Sequence, residues 1–313
     1  MNIGLDMMGG DFSPLEAVRG VQLYLNGSTA PVTLFLVGDE QQINPLLQEY
    51  RIPSSSVKVI HAPQVIGMDE HPTKALKEKQ QSSIAVGFHL LATGKMDAFL
   101  SAGNTGAMLV GALYMLKPIE GILRPTISTI LPKENGGSGV LLDVGLNADC
   151  KAENLNQFAL LGSLYAQHIL GIDRPRVGLL NIGEEEGKGN LLAQAAYPLL
   201  KENSQIHFIG NIEGRDLLVD KADVMVCEGF TGNVVLKMAE SLFNITQQKQ
   251  VSHDYFKRFD FENYGGTPLL GVTKPVIIGH GISHGRSFLN MIALTQKMIE
   301  TDLLGKMKES FLS

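Results

Sequence analysis

A run of small and polar residues, SAGNTGA, occupies positions 101–107 between two apolar segments. Its glycines allow positive φ angles and close backbone approach, while Asn104 and Thr105 can form hydrogen bonds and cap a helix. A helix beginning here would offer unpaired N–H groups and a partial positive charge to an anion. The run therefore predicts an anion-binding turn, although a strand-to-helix turn without a ligand has the same pattern. The candidate residues are Gly103, Asn104, Thr105 and Gly106.

Three further glycine-containing loops carry residues suited to anion binding or proton transfer. They are GEEEGKGN (183–190), EGFTGN (228–233) and GHGISHGRS (279–287). In the first, Lys188 can bind an anion or polarise a carbonyl, whereas the acidic residues also suit an ordinary helix N-terminus. In the last, His280 lies near His284 and Arg286 without the spacing of a metal site. The other candidate binding residues of these loops are Glu184, Asn190, Thr231, Gly232 and Asn233.

The N-terminal segment LDMMGGDFSP (5–14) is another polar hinge after an apolar run. Its two aspartates could hold a metal, accept hydrogen bonds or cap a turn. No third ligand lies nearby in the sequence, so we predict no metal. The candidate binding residues are Asp6, Gly9, Gly10 and Asp11.

Two lysines form a candidate basic lip. Lys74 and Lys77, in HPTKALKEKQQSS (71–83), share one helical face by their i,i+3 spacing. Such a face could receive an acidic protein partner, or could simply be solvated.

The elements that position these loops alternate between short apolar strands and helices, which predicts an α/β protein with a mostly parallel sheet. In open α/β sheets, ligands bind beyond the carboxyl ends of the strands. Strands are predicted at 2–6, 32–37, 57–61, 98–101, 126–131, 140–144, 177–182, 207–210, 224–227 and 276–279. Helices are predicted at 73–92, 105–116, 153–170, 190–201, 233–245 and 287–307.

Composition excludes several classes of protein. The 313 residues carry a net charge of −6 with no lysine or arginine stripe, so nucleic acid is not an expected partner. The two cysteines, Cys150 and Cys227, form no disulfide or metal-binding pattern, which favours a reduced, cytoplasmic setting. No basic signal peptide and no apolar run of about 18 residues is present, so we expect no spanning helix.

The sequence closely resembles the bacterial phosphate acyltransferases of phospholipid synthesis, the acyl-[acyl-carrier-protein]:phosphate transacylases. The motifs that carry the resemblance run through almost the whole chain: DMMGGD, HPTKALKEKQQSS, SAGNTGA, GILRPTI, LLDVGLNAD, RVGLLNIGEEEGKGN, GNIEGRD, DVMVCEGFTGNVVLK and YGGTPLLG. The resemblance implies transfer of a long acyl chain from acyl carrier protein to inorganic phosphate, without a cofactor. A glycerol-3-phosphate acyltransferase would use the acyl phosphate next.

The resemblance also implies an architecture and residue roles. It predicts two α/β domains like those of isocitrate and isopropylmalate dehydrogenases and phosphotransacetylases, in a homodimer. Residues 1–120 with 268–313 would form the first domain and 121–267 the second, with a cleft between them. The family pattern keeps Asp143 and Asn147, which are further binding candidates. From its own loop Lys188 is the catalytic candidate, and His280 is the candidate if a general base is used, since phosphate is already nucleophilic as a dianion. Direct transfer is expected, although Cys227 precedes a site loop and could form an acyl-enzyme.

The chain departs from the family pattern at three places. Glu228 and Leu146 replace the aspartate and alanine that the pattern has, and the segment 238–264 is shorter. In relatives that segment makes dimer and membrane contacts, so only weak peripheral attachment at the inner face of the membrane is expected here.

Three alternatives remain at this point. A metal- and NAD-dependent decarboxylating dehydrogenase shares the architecture, but the loop 279–287 has no acidic residue for a ribose hydroxyl. A coenzyme A-dependent phosphate acyltransferase differs only in its acyl donor. A non-catalytic scaffold that binds acyl carrier protein would need the basic lip of Lys74 and Lys77. It would not need Lys188.

Overall fold

The computed structural model describes residues 1–28 and 30–312. Its strands are β1 (Asn2–Asp6), β2 (Thr33–Gly38), β3 (Val57–His61), β4 (Ala98–Ser101), β5 (Thr126–Pro132), β6 (Ser138–Leu142), β7 (Arg176–Leu180), β8 (His207–Ile212), β9 (Val224–Val226), β10 (Thr267–Leu270) and β11 (Val276–Ile278). Its helices are α1 (Leu15–Gly27), α2 (Glu40–Glu49), α3 (Pro72–Glu78), α4 (Ser83–Ala92), α5 (Thr105–Met115), α6 (Ala152–His168), α7 (Leu191–Glu202), α8 (Gly229–Gln248), α9 (Asp254–Lys257), α10 (Gly285–Glu300) and α11 (Leu303–Leu312).

The chain divides into two compact units. Unit 1 comprises residues 1–118 and 261–299, and unit 2 comprises 119–260 and 300–313. This division differs from the expected one at the C-terminus, because α11 belongs to unit 2. In α11, Nζ of Lys306 lies 3.4 Å from Nδ1 of His168 in α6. The carbonyl of Ser310 accepts a hydrogen bond from the side-chain amide of Gln205.

The unit 1 strands run in the order β3-β2-β1-β4-β11-β10, parallel except for β10. Because Leu5 pairs with Leu100 and Ile278 with Ser101, β1, β4 and β11 end side by side. The central strands β1, β4 and β11 are buried on both faces, with Ile3, Leu5 and Phe99 fully inaccessible. Three loops therefore leave one edge of this sheet together.

The unit 2 strands run in the order β5-β6-β9-β7-β8, and only β5 is antiparallel to its neighbour. Leu142 pairs with Val226, and Val226 pairs with Leu179, so β6, β9 and β7 also end side by side. The predicted α/β class with a mostly parallel sheet is confirmed.

Several predicted helix boundaries were wrong. The helix predicted at 73–92 is two helices, α3 and α4, and the Ser82 hydroxyl caps α4 by accepting from the N–H of Ala85. The helix predicted at 287–307 is likewise two, α10 and α11, with Asp302 at φ +48° between them. A hydrophobic repeat can continue across such breaks. It shows which residues are buried and does not show where one helix ends and the next begins.

Among residues 1–28 and 30–312, no helix is long and apolar enough to cross a membrane.

Candidate active site

Asp6 organises the carboxyl edge of the unit 1 sheet. Its side chain is fully buried and accepts hydrogen bonds from the Ser101 hydroxyl at 2.6 Å and the Met8 N–H at 2.9 Å. Burial raises the pKa of Asp6, and the hydrogen bonds it accepts only partly offset that effect. The sequence predicts substrate binding for Asp6, but in the structure this carboxylate points inward and ties β1 to β4.

Glycines let the three loops of unit 1 approach one another. A Cβ at Gly9 would lie 2.6 Å from the N–H nitrogen of Gly103, so only glycine permits this packing. Gly10 has φ +98°, and the N–H of Asp11 donates to the carbonyl of Gly281 at 2.8 Å. The predicted candidates Gly9, Gly10, Gly103 and Asp11 are thus brought together after β1, β4 and β11.

Asn104 is the N-cap of α5, as the sequence predicts, but its side chain does not face an anion. Its Oδ1 accepts from the N–H of Ala107 at 2.9 Å. Its Nδ2 donates to the carbonyls of Gly67, Met68 and Glu70 at 2.9, 3.3 and 3.0 Å. Asn104 therefore holds the 67–70 segment on the start of α5 and uses both ends of its side-chain amide in doing so.

The other unit 1 candidates lie at the surface. His280, Thr105, Lys74 and Lys77 are exposed. The His280 ring lies against Phe261 with ring centroids 5.0 Å apart. A Cβ at Gly106 would lie 2.3 Å from Cγ of Pro72, so Gly106 allows α3, which carries both lysines, to pack beside the start of α5.

Asp143 organises the corresponding edge of unit 2. Oδ1 accepts from the N–H groups of Gly145 and Leu146, and Oδ2 accepts from the N–H and side-chain amide of Asn147, all at 2.6–3.1 Å. Asn147 also donates to the carbonyl of Pro125 at 2.8 Å. Burial raises the pKa of Asp143 despite these hydrogen bonds. Because both side chains are buried and internally bonded, they position the loop instead of presenting groups to a ligand.

The EGFTGN motif forms the first turn of α8 and not a loop before it. Glu228 caps this helix by accepting from the N–H and hydroxyl of Thr231, so the departure from the family pattern keeps an acidic cap. A Cβ at Gly232 would lie 1.9 Å from the carbonyl oxygen of Asp143. Asn233 donates to the carbonyl of Val144 at 3.1 Å. The motif therefore fastens α8 to the Asp143 loop.

Lys188 differs from these inward-pointing residues. It is exposed on the loop after β7. Among the described residues, none accepts a hydrogen bond from its ammonium. Its main-chain carbonyl is held by the side-chain amide of Asn181 at 3.0 Å, and Asn211 donates to the carbonyl of Glu185 at 2.8 Å. Sequence reasoning missed both asparagines, whose position at strand ends was the available signal.

The remaining candidates of this loop have ordinary roles. Asn190 caps α7 by accepting from the N–H of Ala193 at 2.8 Å. Glu184 pairs with Lys221 at 2.6 Å. Carboxylate oxygens of Glu184, Glu213 and Asp216 lie within 4.8 Å of one another, but the Lys221 ammonium already bonds two of these groups. Lys221 therefore pairs with two of the three carboxylates, and Arg215 pairs with the third, Glu213.

The cysteines are predicted to be unreactive in the folded protein. Cys227 is 4% exposed, and burial raises its pKa well above the usual value, while burial raises the pKa of Cys150 to about 11. Because the thiolate is the nucleophile, iodoacetamide at neutral pH should label both thiols only after unfolding.

Cys227→Ser should keep kcat/KM within about three-fold of wild type, a change of under 1 kcal/mol. Turnover measurements check this ratio. Mass spectrometry of the protein after reaction with the donor checks for an acyl-enzyme, and a trapped acyl group on Cys227 would contradict direct transfer.

Comparison with solved structures defines the class of fold. The structure is similar to a phosphotransacetylase from Streptococcus pyogenes, with a TM-score of 0.69, 19% sequence identity and coverage of 96% of this chain and 94% of that chain. It is also similar to a branched-chain phosphotransacylase from Enterococcus faecalis V583, with a TM-score of 0.62, 15% identity and coverage of 96% and 99%. The two α/β units therefore have a phosphotransacetylase-like fold.

Sequence comparison identifies the family. A family model described as "Fatty acid synthesis protein" matches residues 1–257. The phosphate acyltransferase of Dictyoglomus turgidum is 42% identical over 328 positions, covering 99% of this chain and 97% of the relative. That of Halothermothrix orenii is 42% identical over 329 positions, covering 99% and 98%. This chain belongs to the bacterial phosphate acyltransferase family and is an acyltransferase enzyme, which confirms the resemblance seen in its motifs.

Both alignments are longer than the 313-residue chain, so these relatives carry residues that this chain lacks. That difference agrees with a shortened chain. Its expected location at 238–264 stays a prediction, as does the cleft expected between the domains.

Proposed function

We propose that this enzyme transfers a long-chain acyl group from an acyl carrier protein thioester to inorganic phosphate, giving an acyl phosphate for phospholipid synthesis. An oxygen of hydrogen phosphate attacks the thioester carbonyl carbon. The carbon–sulfur bond then breaks, and the departing sulfur takes up the proton that phosphate releases. The family assignment supports the acyl transfer to phosphate, whereas the carrier-protein donor rests on the sequence resemblance.

The unpaired ammonium of Lys188 is the observation that carries the proposal. The main chain of the loop around it is fixed by Asn181, Asn211 and the Asn190 cap, and no carboxylate of the described residues pairs with the ammonium itself. The first N–H groups of α7, at Leu191 and Leu192, add donors with no acceptor in the described part of the chain. An unpaired cation on a fixed loop beside a helix N-terminus suits phosphate and the oxyanion of a tetrahedral intermediate.

His280 is the proposed general acid or base. It is exposed and directly precedes Gly281, whose carbonyl accepts from the N–H of Asp11. An imidazole can move the proton from hydrogen phosphate to the leaving sulfur near neutral pH. Because phosphate is already a nucleophile, His280 is proposed to assist the reaction and not to start it.

The partners and location remain proposals. Lys74 and Lys77 would receive the acidic carrier protein. The cytoplasmic setting rests on the cysteine usage. The homodimer, the weak membrane contact and delivery to a glycerol-3-phosphate acyltransferase rest on the resemblance alone.

The test is release of acyl phosphate from palmitoyl carrier protein, followed by mass spectrometry with and without inorganic phosphate. Phosphate-dependent product is expected. Palmitoyl-coenzyme A serves as the comparison donor, and an equal or higher kcat/KM with it would favour the coenzyme A alternative. Carrier binding without any product would favour the scaffold.

A further inference from the structure

Three large apolar side chains at the carboxyl edge of unit 2 are unusually exposed. Leu191 is 86% exposed, Ile182 80% and Phe230 69%. Water contact with such side chains is unfavourable, and exposed apolar groups gathered at one site are typical of binding surfaces. None of them contributes to the core of unit 2.

Ile182 and Leu191 lie at the two ends of the loop that carries Lys188. The N–H of Ile182 donates to Oδ1 of Asn181 at 2.8 Å, and the amide of that asparagine holds the Lys188 carbonyl. Leu191 is the first residue of α7, directly after its cap. Ile182 and Leu191 therefore lie on either side of Lys188 along a segment that hydrogen bonds hold in place.

Phe230 reaches the same edge from the neighbouring strand. It is the second residue of α8, which follows β9, and β9 pairs with β7 through Val226 and Leu179. Adjacent strands lie about 4.8 Å apart, so the segments that carry the three apolar residues start close together. The N–H of Gly229 donates to the carbonyl of Asn147 at 2.8 Å, which fixes the turn that bears Phe230.

We propose that Ile182, Leu191 and Phe230 contact the acyl chain of the thioester donor, a role that rests on the proposed function. A long alkyl chain that ends in a polar reacting group matches exposed apolar side chains on segments that start close to the loop of an unpaired cation. The three side chains are thus the determinants of acyl-chain preference.

The test compares kcat/KM for hexanoyl and palmitoyl carrier protein in wild type and in the double variant Ile182→Gln/Leu191→Gln. The variant should lose about ten-fold with the palmitoyl donor and less than about three-fold with the hexanoyl donor, since only the long chain covers both side chains. Its KM for phosphate should not change. Phe230→Gln should show the same bias, and Leu312→Gln, which alters a 54% exposed side chain at the end of α11, should show none.

Equal losses with both donors, or no loss, would overturn the proposal, because acyl contacts must depend on chain length. Wild-type turnover with both donors shows separately that the proposed function holds. Binding of cis-parinaric acid, a fluorescent fatty acid, needs no turnover. Wild-type binding that the double variant loses would support the acyl contact even if no acyl phosphate forms, and equal binding by both proteins would contradict it.

Discussion

Replacing Lys188 by methionine is expected to lower kcat/KM by about 100- to 1,000-fold, the usual cost of losing one donor to a developing oxyanion. The ammonium is exposed and has no counterion among the described residues, so its removal disturbs no internal contact. Methionine is also unbranched and keeps the Cγ of Lys188. That atom lies 3.2 Å from the place that a Cβ on Gly183 would take, so the packing beside Gly183 is retained. Circular dichroism and thermal midpoint should therefore stay unchanged while turnover of palmitoyl carrier protein falls.

Two comparison variants sharpen this result. Lys201→Met removes an exposed lysine that pairs with Glu186 at 3.0 Å on the same side of α7, and it should leave activity within about two-fold of wild type. Lys188→Arg keeps the charge and should retain more activity than Lys188→Met. Wild-type turnover by Lys188→Met would remove Lys188 from the mechanism.

Lys133→Met is expected to destabilise the protein by about 3 kcal/mol, because breaking a buried ion pair leaves an uncompensated charge. The Lys133 side chain is 2% exposed and its ammonium lies 2.5 Å from Asp223, which is 8% exposed. Arg176 also bonds Asp223 at 2.9 Å and limits the loss. This cluster lies at the amino ends of β7 and β9, opposite the loops of the candidate site, so kcat/KM should not change. Urea unfolding at neutral pH measures the effect.

The destabilisation should also depend on pH. Burial alone would raise the pKa of Asp223, but hydrogen bonds from Arg176 and Lys133 outweigh it and hold that pKa well below 3.8, its ordinary value. A carboxyl group with a lowered folded-state pKa stabilises the protein above its unfolded value and loses that contribution as pH falls. The difference between wild type and Lys133→Met should thus be full at neutral pH and shrink below about pH 3.8. A difference that stays constant to lower pH would show that lost packing, and not charge, is responsible. Lys201→Met, whose partner is exposed, should leave the urea midpoint unchanged at every pH, because an exposed ion pair contributes little to stability.

The sequence by itself determined the fold class and the positions of the loops. Alternating apolar strands and helices predict a parallel sheet because a strand buried on both faces reads as an unbroken apolar run, as in Val140, Leu141 and Leu142. The glycines at the strand ends predict close backbone contacts, and Gly9 and Gly232 make them. The motifs are long enough to indicate the family by themselves, because they span almost the whole chain in a fixed order.

Only the tertiary structure decided which polar side chains face inward. Asp6 and Asn104 look like ligand-binding residues in the sequence, but their partners at Ser101 and Gly67 lie 95 and 37 residues away. Asp143 had a local signal, since an aspartate can accept from N–H groups two to four residues ahead in a turn. Long-range pairs leave no such trace.

Lys188 and Lys133 also show that the sequence does not reveal whether a charged side chain is buried or exposed. Both are lysines near strand ends in the sequence, yet Lys133 is buried against Asp223, 90 residues away, whereas Lys188 stays unpaired and exposed. Composition and spacing cannot separate them, because the free energy of a charge depends on its burial and on the counterions that the fold brings within reach. The sequence set the available chemistry, and the packing of distant segments decided which groups could still meet a substrate.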